Sequence, residues 1–353
     1  MEKQLMKGNE AIAEAALRAG CRHFFGYPIT PQTEVSAYMS KRMPKMGGVF
    51  LQAESEVAAI NMVYGAAGAG ARVMTSSSSP GISLKSEGIS YIAGADLPCV
   101  IINIVRGGPG LGGIQPAQSD YFQAVKGGGH GDYHCIVFAP SSVQEMVDLM
   151  SDAFDLSDKY RMPAMVIGDG SLGQMMEPVS FPEKKAINFP EKTWATVGTG
   201  GKREPNIINS LYIEPDTLEK LVVDRFKRYD EVRINETRVE TENIEDADLI
   251  LVAYGITARI VRAAIKTARK NGLKVGLIRP ITLWPFPSDV VSSAAANVKA
   301  MLCVEMSMGQ MVEDVRLAAN GQCPVHFFGR TGGVVPTPAE ILAEIEKLMG
   351  GAK

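Results

Sequence analysis

Two stretches of the chain alternate short apolar runs with segments of helical period, and a third stretch between them does not. In the first stretch the apolar runs fall at Arg22–Gly26, Val49–Gln52, Ala71–Thr75, Cys99–Val105, Cys135–Ala139 and Ala164–Gly168. Runs of this length, separated by helical patterns, predict an α/β domain with a doubly wound, mainly parallel sheet. Asn9 is placed to cap a helix over Glu10–Ala19 that Gly20 then stops. Thr30 followed by Pro31 predicts the cap and first turn of the next helix.

Residues 181–247 break this pattern, with 25 charged side chains in 67 positions against 23 in the first 150 residues. Several prolines and the stretch Gly198 to Gly201 predict a connecting arm. One charged helix is expected around Thr217–Tyr229, running over a neighbouring surface rather than in a core. From Asp248 the alternation returns as LILVAYG, VGLIRP, AMLCVEM and VHFFG, with helices through Ile260–Lys270, near Ser288–Asn297, near Met311–Asn320 and over Pro338–Met349. The expected organisation is therefore a first domain over 1–180, the arm over 181–247, and a smaller parallel α/β domain of roughly four strands over 248–353.

Composition narrows the function without naming it. Hydrophobic residues make up 46% and charged residues 21% of the 353 positions, which excludes a disordered or fibrous chain. A net charge of −3 leaves no excess of cations to neutralise phosphates, so a nucleic-acid partner is excluded. There is no run of eighteen apolar residues and no apolar core of a signal peptide at the start, and a soluble cytoplasmic protein without a membrane partner is expected. Cys21, Cys99, Cys135, Cys303 and Cys323 form no C-x-x-C pair, and are expected to be buried thiols rather than ligands of a cluster or zinc ion. His130 and His134 are spaced for one helical face, but Gly127 to Gly129 before them argue against a helix.

In open parallel sheets, ligands bind beyond the carboxyl ends of the strands. Those ends read GYPITP at 26–31, QAESE at 52–56, TSSSSPG at 75–81, RGGPGLGG at 106–113 and GDG at 168–170. Glycines let the backbone approach a ligand, while hydroxyls, one arginine and two glutamates offer polar contacts. No G-x-x-x-x-G-K-[ST] loop is present, and the glycine clusters at 65–70 and 108–112 do not open a helix after the first strand as a nicotinamide site requires. Gly168-Asp169-Gly170 begins like the metal-binding motif for thiamine diphosphate, but the window near Ala195–Gly198 lacks the asparagine that would complete it, so Asp169 reads as a turn residue.

The segments GYPITPQTE (26–34), QAESEVAAINMVYGAAGAGARVMTSSSSPG (52–81), LPCVIINIVRGGPGLGG (97–113) and the DLILVAYG start of the second domain, in this order and spacing, resemble the alpha subunit of 2-oxoacid:ferredoxin oxidoreductases. The resemblance runs from residue 5 to about 345 and is greatest to the branched-chain, 2-oxoisovalerate type. It implies a thiamine diphosphate pyrimidine-binding fold followed by a domain like the transketolase C-terminal domain. It also implies a site shared by two chains, one supplying diphosphate and metal contacts, the other gripping the aminopyrimidine. This chain carries the second set only.

Residue by residue, the resemblance gives Glu56 the catalytic position that bonds the pyrimidine N1′. Thr30 and Arg106 take the positions that contact the 2-oxo carboxylate, and Tyr27, Pro28, Ile29, Ser78 and Gly81 join the cofactor wall. Without it, Glu56 reads as a first-turn glutamate favoured by the helix dipole, as Glu54 does. Arg106 likewise reads as a salt bridge to Asp120, and Thr30 as a helix cap. The implied reaction is oxidative decarboxylation of a 2-oxoacid to acyl-coenzyme A with reduction of ferredoxin. Mg²⁺ belongs to a beta subunit with the diphosphate site, [4Fe-4S] clusters to a ferredoxin-like iron–sulfur subunit, and no metal to this chain. Rival readings are a non-catalytic assembly subunit, a subunit acting on pyruvate or 2-oxoglutarate, and a complete transketolase-type enzyme, which the missing asparagine disfavours.

Overall fold

A strand covered by helices on both faces needs apolar side chains on both sides, and Cys99–Val105, buried throughout and polar only at Asn103, lies in the middle of a seven-stranded sheet. The computed structural model describes residues 3–181 and 191–350. The chain opens with β1 (Gln4–Lys7), α1 (Gly8–Arg18), β2 (His23–Gly26), α2 (Thr33–Arg42), β3 (Val49–Gln52), α3 (Glu56–Gly68) and β4 (Val73–Ser77). Next come α4 (Pro80–Gly94), β5 (Cys99–Val105), α5 (Tyr121–Val125), β6 (Ile136–Phe138), α6 (Val143–Tyr160), β7 (Pro163–Asp169), α7 (Gly170–Gln174) and β8 (Met176–Val179). Then follow α8 (Pro215–Glu236), β9 (Val239–Glu242), β10 (Leu249–Val252), α9 (Gly255–Lys270), β11 (Val275–Pro280) and β12 (Thr282–Trp284). The chain closes with α10 (Ser288–Ala295), β13 (Ala300–Glu305), α11 (Met311–Ala319), β14 (Val325–Gly329) and α12 (Pro338–Leu348).

The large sheet has the order β12-β6-β7-β5-β4-β2-β3 and is parallel except where β12 joins β6. The second sheet, β14-β13-β10-β11-β9, has five strands rather than four, because β9 comes from the charged stretch and pairs antiparallel with β11. That stretch is not a surface excursion throughout. α8 buries Tyr229 and Val232, with Tyr229 against His134 and Trp284, and its Arg225 is buried on Asp96 and the Gly94 carbonyl. Residues 182–190 of the expected arm lie outside the described residues.

Two expected caps are corrected. α1 starts at Gly8 with Lys7 at its cap position, and Asn9 is a buried clamp whose amide donates to the Pro31 carbonyl (2.7 Å) and to Glu34 (2.9 Å). With Pro31 held there and the Gln32 amide donating to the Tyr27 carbonyl (3.1 Å), the loop stays open and α2 begins only at Thr33, so Thr30 caps no helix.

Gln118 latches the two sheets together. Its amide donates to the Tyr254 carbonyl (2.9 Å), and its oxygen accepts from the Thr257 hydroxyl (2.7 Å) and the Met306 N–H (3.0 Å). Leaving a buried polar group unpaired costs about 1–3 kcal/mol. Gln118→Leu strands several at once, so a loss of at least about 2 kcal/mol is expected in urea unfolding.

Candidate active site at the carboxyl ends of the large sheet

β5 runs between β4 and β7 with Ser77 opposite Asn103 and Val105 opposite Asp169, while β2 lies on the other side of β4. The chain passes through β2 and β3 on one side, then returns across β2 to β4 and continues to β5 on the other. Such a reversal opens a crevice at the strand ends. Tyr27–Gln32 after β2, Ser78–Gly81 after β4, Arg106 after β5 and Glu56 at the start of α3 converge there.

Glu56 follows Ser55, whose hydroxyl caps α3 by accepting from the Ala58 N–H (3.1 Å). The glutamate is only 6% exposed, and its carboxylate rests on Gly81: a Cβ on that glycine would lie 2.7 Å from Oε1 and 2.1 Å from Ser77 Oγ. A residue larger than glycine at 81 therefore displaces the carboxylate. Glu54, two residues earlier, is exposed.

The hydroxyls of Thr75, Ser77 and Ser78 are buried and have no hydrogen-bond partner among the described residues. Buried hydroxyls nearly always find partners inside a protein, so three unpartnered ones at one strand end are candidates to meet a polar ligand. Ser76 alternates to the opposite face and donates to Gln32 Oε1 (2.5 Å), tying the Tyr27–Gln32 loop to β4. Ser79 stands at φ +23°, a strained backbone for a residue with a Cβ. The turn is held by Asn103 Oδ1 accepting from the Ser79 N–H (3.1 Å) and by the Ser79 hydroxyl donating to Asp120 (2.7 Å). Burial raises the Asp120 carboxyl above its ordinary pKa, opposed by the hydrogen bonds from Asn103 and Ser79.

Arg106 has no salt bridge to Asp120, whose carboxylate is taken by Ser79 and Asn103 (2.9 Å). Instead Nη1 donates to the Thr30 carbonyl (3.0 Å), Nη2 to the Leu111 carbonyl (3.0 Å), and Nε is buried with no partner among the described residues. The residue is 9% exposed. A buried guanidinium without a counter-ion is destabilising unless an anion joins it, and its planar fork matches a carboxylate. Thr30, exposed, is thus brought to Arg106 by its carbonyl, with Tyr27 and Ile29 half-buried and Pro28 exposed along the same loop.

Other sequence candidates fall elsewhere. Asp169 caps α7, accepting from the N–H groups of Ser171 (2.8 Å) and Leu172 (3.2 Å), and burial pushes its carboxyl up to about 6. All five cysteines are buried. His134 stacks on Trp284 with ring centroids 4.5 Å apart, and burial lowers it to about 4. No group of three His, Cys, Asp or Glu among the described residues is arranged to hold a metal ion. Gln32 and Asn103, which tie the loops at the strand ends, escaped the sequence reading; the signal for Asn103 was a lone polar residue in an apolar strand.

Residues 14–240 match the family described as pyruvate flavodoxin/ferredoxin oxidoreductase, thiamine diP-bdg, and residues 247–341 match pyruvate:ferredoxin oxidoreductase core domain II. The chain is 50% identical over 350 residues to ketoisovalerate oxidoreductase subunit VorB of Methanothermobacter marburgensis, covering 99% of each. It is 37% identical over 378 residues to 2-oxoglutarate synthase subunit KorA of Methanothermobacter thermautotrophicus, covering 98% of this chain and 99% of that one. Among solved structures, 2-oxoglutarate:ferredoxin oxidoreductase from Magnetococcus marinus, with 2-oxoglutarate, coenzyme A and succinyl-CoA bound, superposes with a TM-score of 0.84 at 28% identity. That match covers 98% of this chain but only 65% of that one, under two thirds of its length. A split-gene transketolase, an inactive beta4 tetramer, gives a TM-score of 0.61 at 13% identity over 99% of each chain, a likeness of fold alone.

Proposed function

This chain belongs to the 2-oxoacid:ferredoxin oxidoreductase family as an alpha-type subunit, and from that premise we propose that it supplies the aminopyrimidine and substrate-carboxylate side of a thiamine diphosphate site completed by a partner. The observation that carries the reading is the buried Arg106, which has no counter-ion among the described residues, at the same strand ends as a Glu56 carboxylate seated on Gly81. The residues fit the cofactor: an aminopyrimidine offers donors and acceptors together, and the wall of orphan hydroxyls and Glu56 answers both.

Thiamine diphosphate, when bound, supplies the carbon nucleophile for decarboxylation. Glu56 holds or releases a proton at the pyrimidine N1′. Arg106 binds the 2-oxo carboxylate, with Thr30 beside it on the loop. Tyr27, Pro28, Ile29, Ser78 and Gly81 form the wall around the ring.

Residues 1–180 carry this half-site, 181–247 connect, and 248–353 serve assembly. A beta subunit brings the diphosphate contacts and Mg²⁺, a ferredoxin-like subunit brings [4Fe-4S] clusters, and electrons leave to ferredoxin as coenzyme A takes the acyl group. Support comes from the buried cysteines of this chain and from exposed Val57, Leu84 and Leu111, whose backbones adjoin the site residues. Identity to the ketoisovalerate relatives supports 2-oxoisovalerate as substrate over pyruvate or 2-oxoglutarate. Among the described residues, no helix is long and apolar enough to cross a membrane.

A charge-assisted bond contributes about 1.5–3 kcal/mol, roughly 10- to 150-fold in an equilibrium constant. Arg106→Met in the assembled complex is expected to lower kcat/KM for every 2-oxoacid by at least that factor while leaving thiamine diphosphate affinity unchanged, with partial rescue by lysine. Near-normal kcat/KM with a lowered melting temperature would remove Arg106 from the substrate site.

A further inference from the structure

Lys85 is fully buried, and neither the reaction nor the fold reading uses it. It lies on α4 one turn beyond Gly81, on the same helical face, and Gly81 is the residue on which the Glu56 carboxylate rests. Its Nζ donates to the Ser76 carbonyl (3.0 Å) and makes no salt bridge among the described residues, although an ammonium has three donors to place. α4 packs closely on α3, with Gly88 against Ile60, which buries Lys85 between the helix that carries Gly81 and the one that starts at Glu56.

Near the start of α4, the buried Asp120 is engaged by Ser79 and Asn103 and the buried Arg106 by the Thr30 and Leu111 carbonyls. Around Lys85, α3 presents Glu56 and β4 carries no titratable side chain. His23 of β2 sits at the opposite strand end, and Asp169 of β7 is engaged as the α7 cap. Among the described residues, the Glu56 carboxylate is the charge whose attraction acts on Lys85.

We propose that Lys85, anchored on the Ser76 carbonyl one helical turn beyond Gly81, is a positioning residue that acts through Glu56 by placing a buried positive charge near its carboxylate. The inference rests on the reading of Glu56 as the proton partner of N1′. An ammonium nearby favours the carboxylate, and a lone carboxylate in apolar surroundings protonates at higher pH. Burial, opposed by the attraction of Glu56, lowers Lys85 to about 7.

The test uses the assembled complex with thiamine diphosphate, measuring exchange of the cofactor's C2 proton against pH for the wild type, Lys85→Met, Lys85→Gln and Glu56→Gln. Lys85→Met is expected to move the acid limb up by about one pH unit or more. Lys85→Arg should bring it back part of the way. Lys85→Gln keeps a donor for Ser76 without the charge and should match Lys85→Met, and it carries the test if the methionine variant does not assemble. An acid limb left in place by both neutral variants, with exchange abolished in Glu56→Gln, would overturn the proposal alone. Wild-type exchange in Glu56→Gln would instead overturn the Glu56 reading beneath it.

A second readout needs no cofactor. Lys85 binds its proton below about 7 in the folded protein and below about 10.5 when unfolded. The unfolded chain therefore holds more protons between those values, and this group makes stability rise with pH across that window. The melting temperature of Lys85→Met relative to wild type should accordingly be highest near pH 7 and decline towards pH 10.5. A difference that does not change over that window would contradict a buried ammonium.

Discussion

Purified without other subunits, this chain will be colourless and will not reduce ferredoxin with any 2-oxoacid, even when thiamine diphosphate and coenzyme A are added. Iron–sulfur clusters are held by cysteine thiolates, and here burial pushes Cys21 and Cys135 up to about 12 and raises the other thiols as well. Among the described residues no cluster of ligands gathers for a metal, and Asp169, the nearest approach to a diphosphate motif, is occupied as a helix cap. Co-expression with a beta subunit and a ferredoxin-like subunit should restore colour and activity together. Ferredoxin reduction by the isolated chain would overturn the half-site account.

Glu56→Gln should lower turnover of the assembled complex by about 10²–10⁴-fold or more, because an amide cannot trade a proton with a ring nitrogen. Glutamine has nearly the same shape, so the contact with Gly81 and the capped start of α3 survive and assembly by size-exclusion chromatography should be unchanged. The exposed Glu54 is the control, and Glu54→Gln should have a much smaller effect. A comparable loss in both variants would point to the charge of the α3 entrance rather than to proton exchange.

The large sheet was legible because strands buried on both faces must be apolar at nearly every position, as β5 and β7 are. β9 was not, since VETE is a charged edge strand that its neighbour defines. β12 is three residues long and acquires its pairing only when the second unit folds onto β6. The caps assigned to Asn9 and Thr30 failed for one reason: local spacing suits both to a helix start, but long-range bonds from Asn9 to Pro31 and from Ser76 to Gln32 claim that loop. At the site, Glu56 and Arg106 stood out as charges at strand ends, and both are buried there. The partner imagined for Arg106 was wrong because Asp120 is captured by Asn103, a contact between residues 17 positions apart that no spacing announces. Lys85 was hidden among small residues of α4, where one lysine looks like any solvated position.

The central claim, that this chain activates the pyrimidine of a shared cofactor through Glu56, is tested most directly by deuterium exchange at C2 of thiamine diphosphate bound to the assembled complex, followed by rapid quench and NMR. The account predicts fast exchange in the wild type and in Glu54→Gln, and exchange slowed by at least about 10²-fold in Glu56→Gln with cofactor still bound. Exchange at the wild-type rate in Glu56→Gln would contradict it.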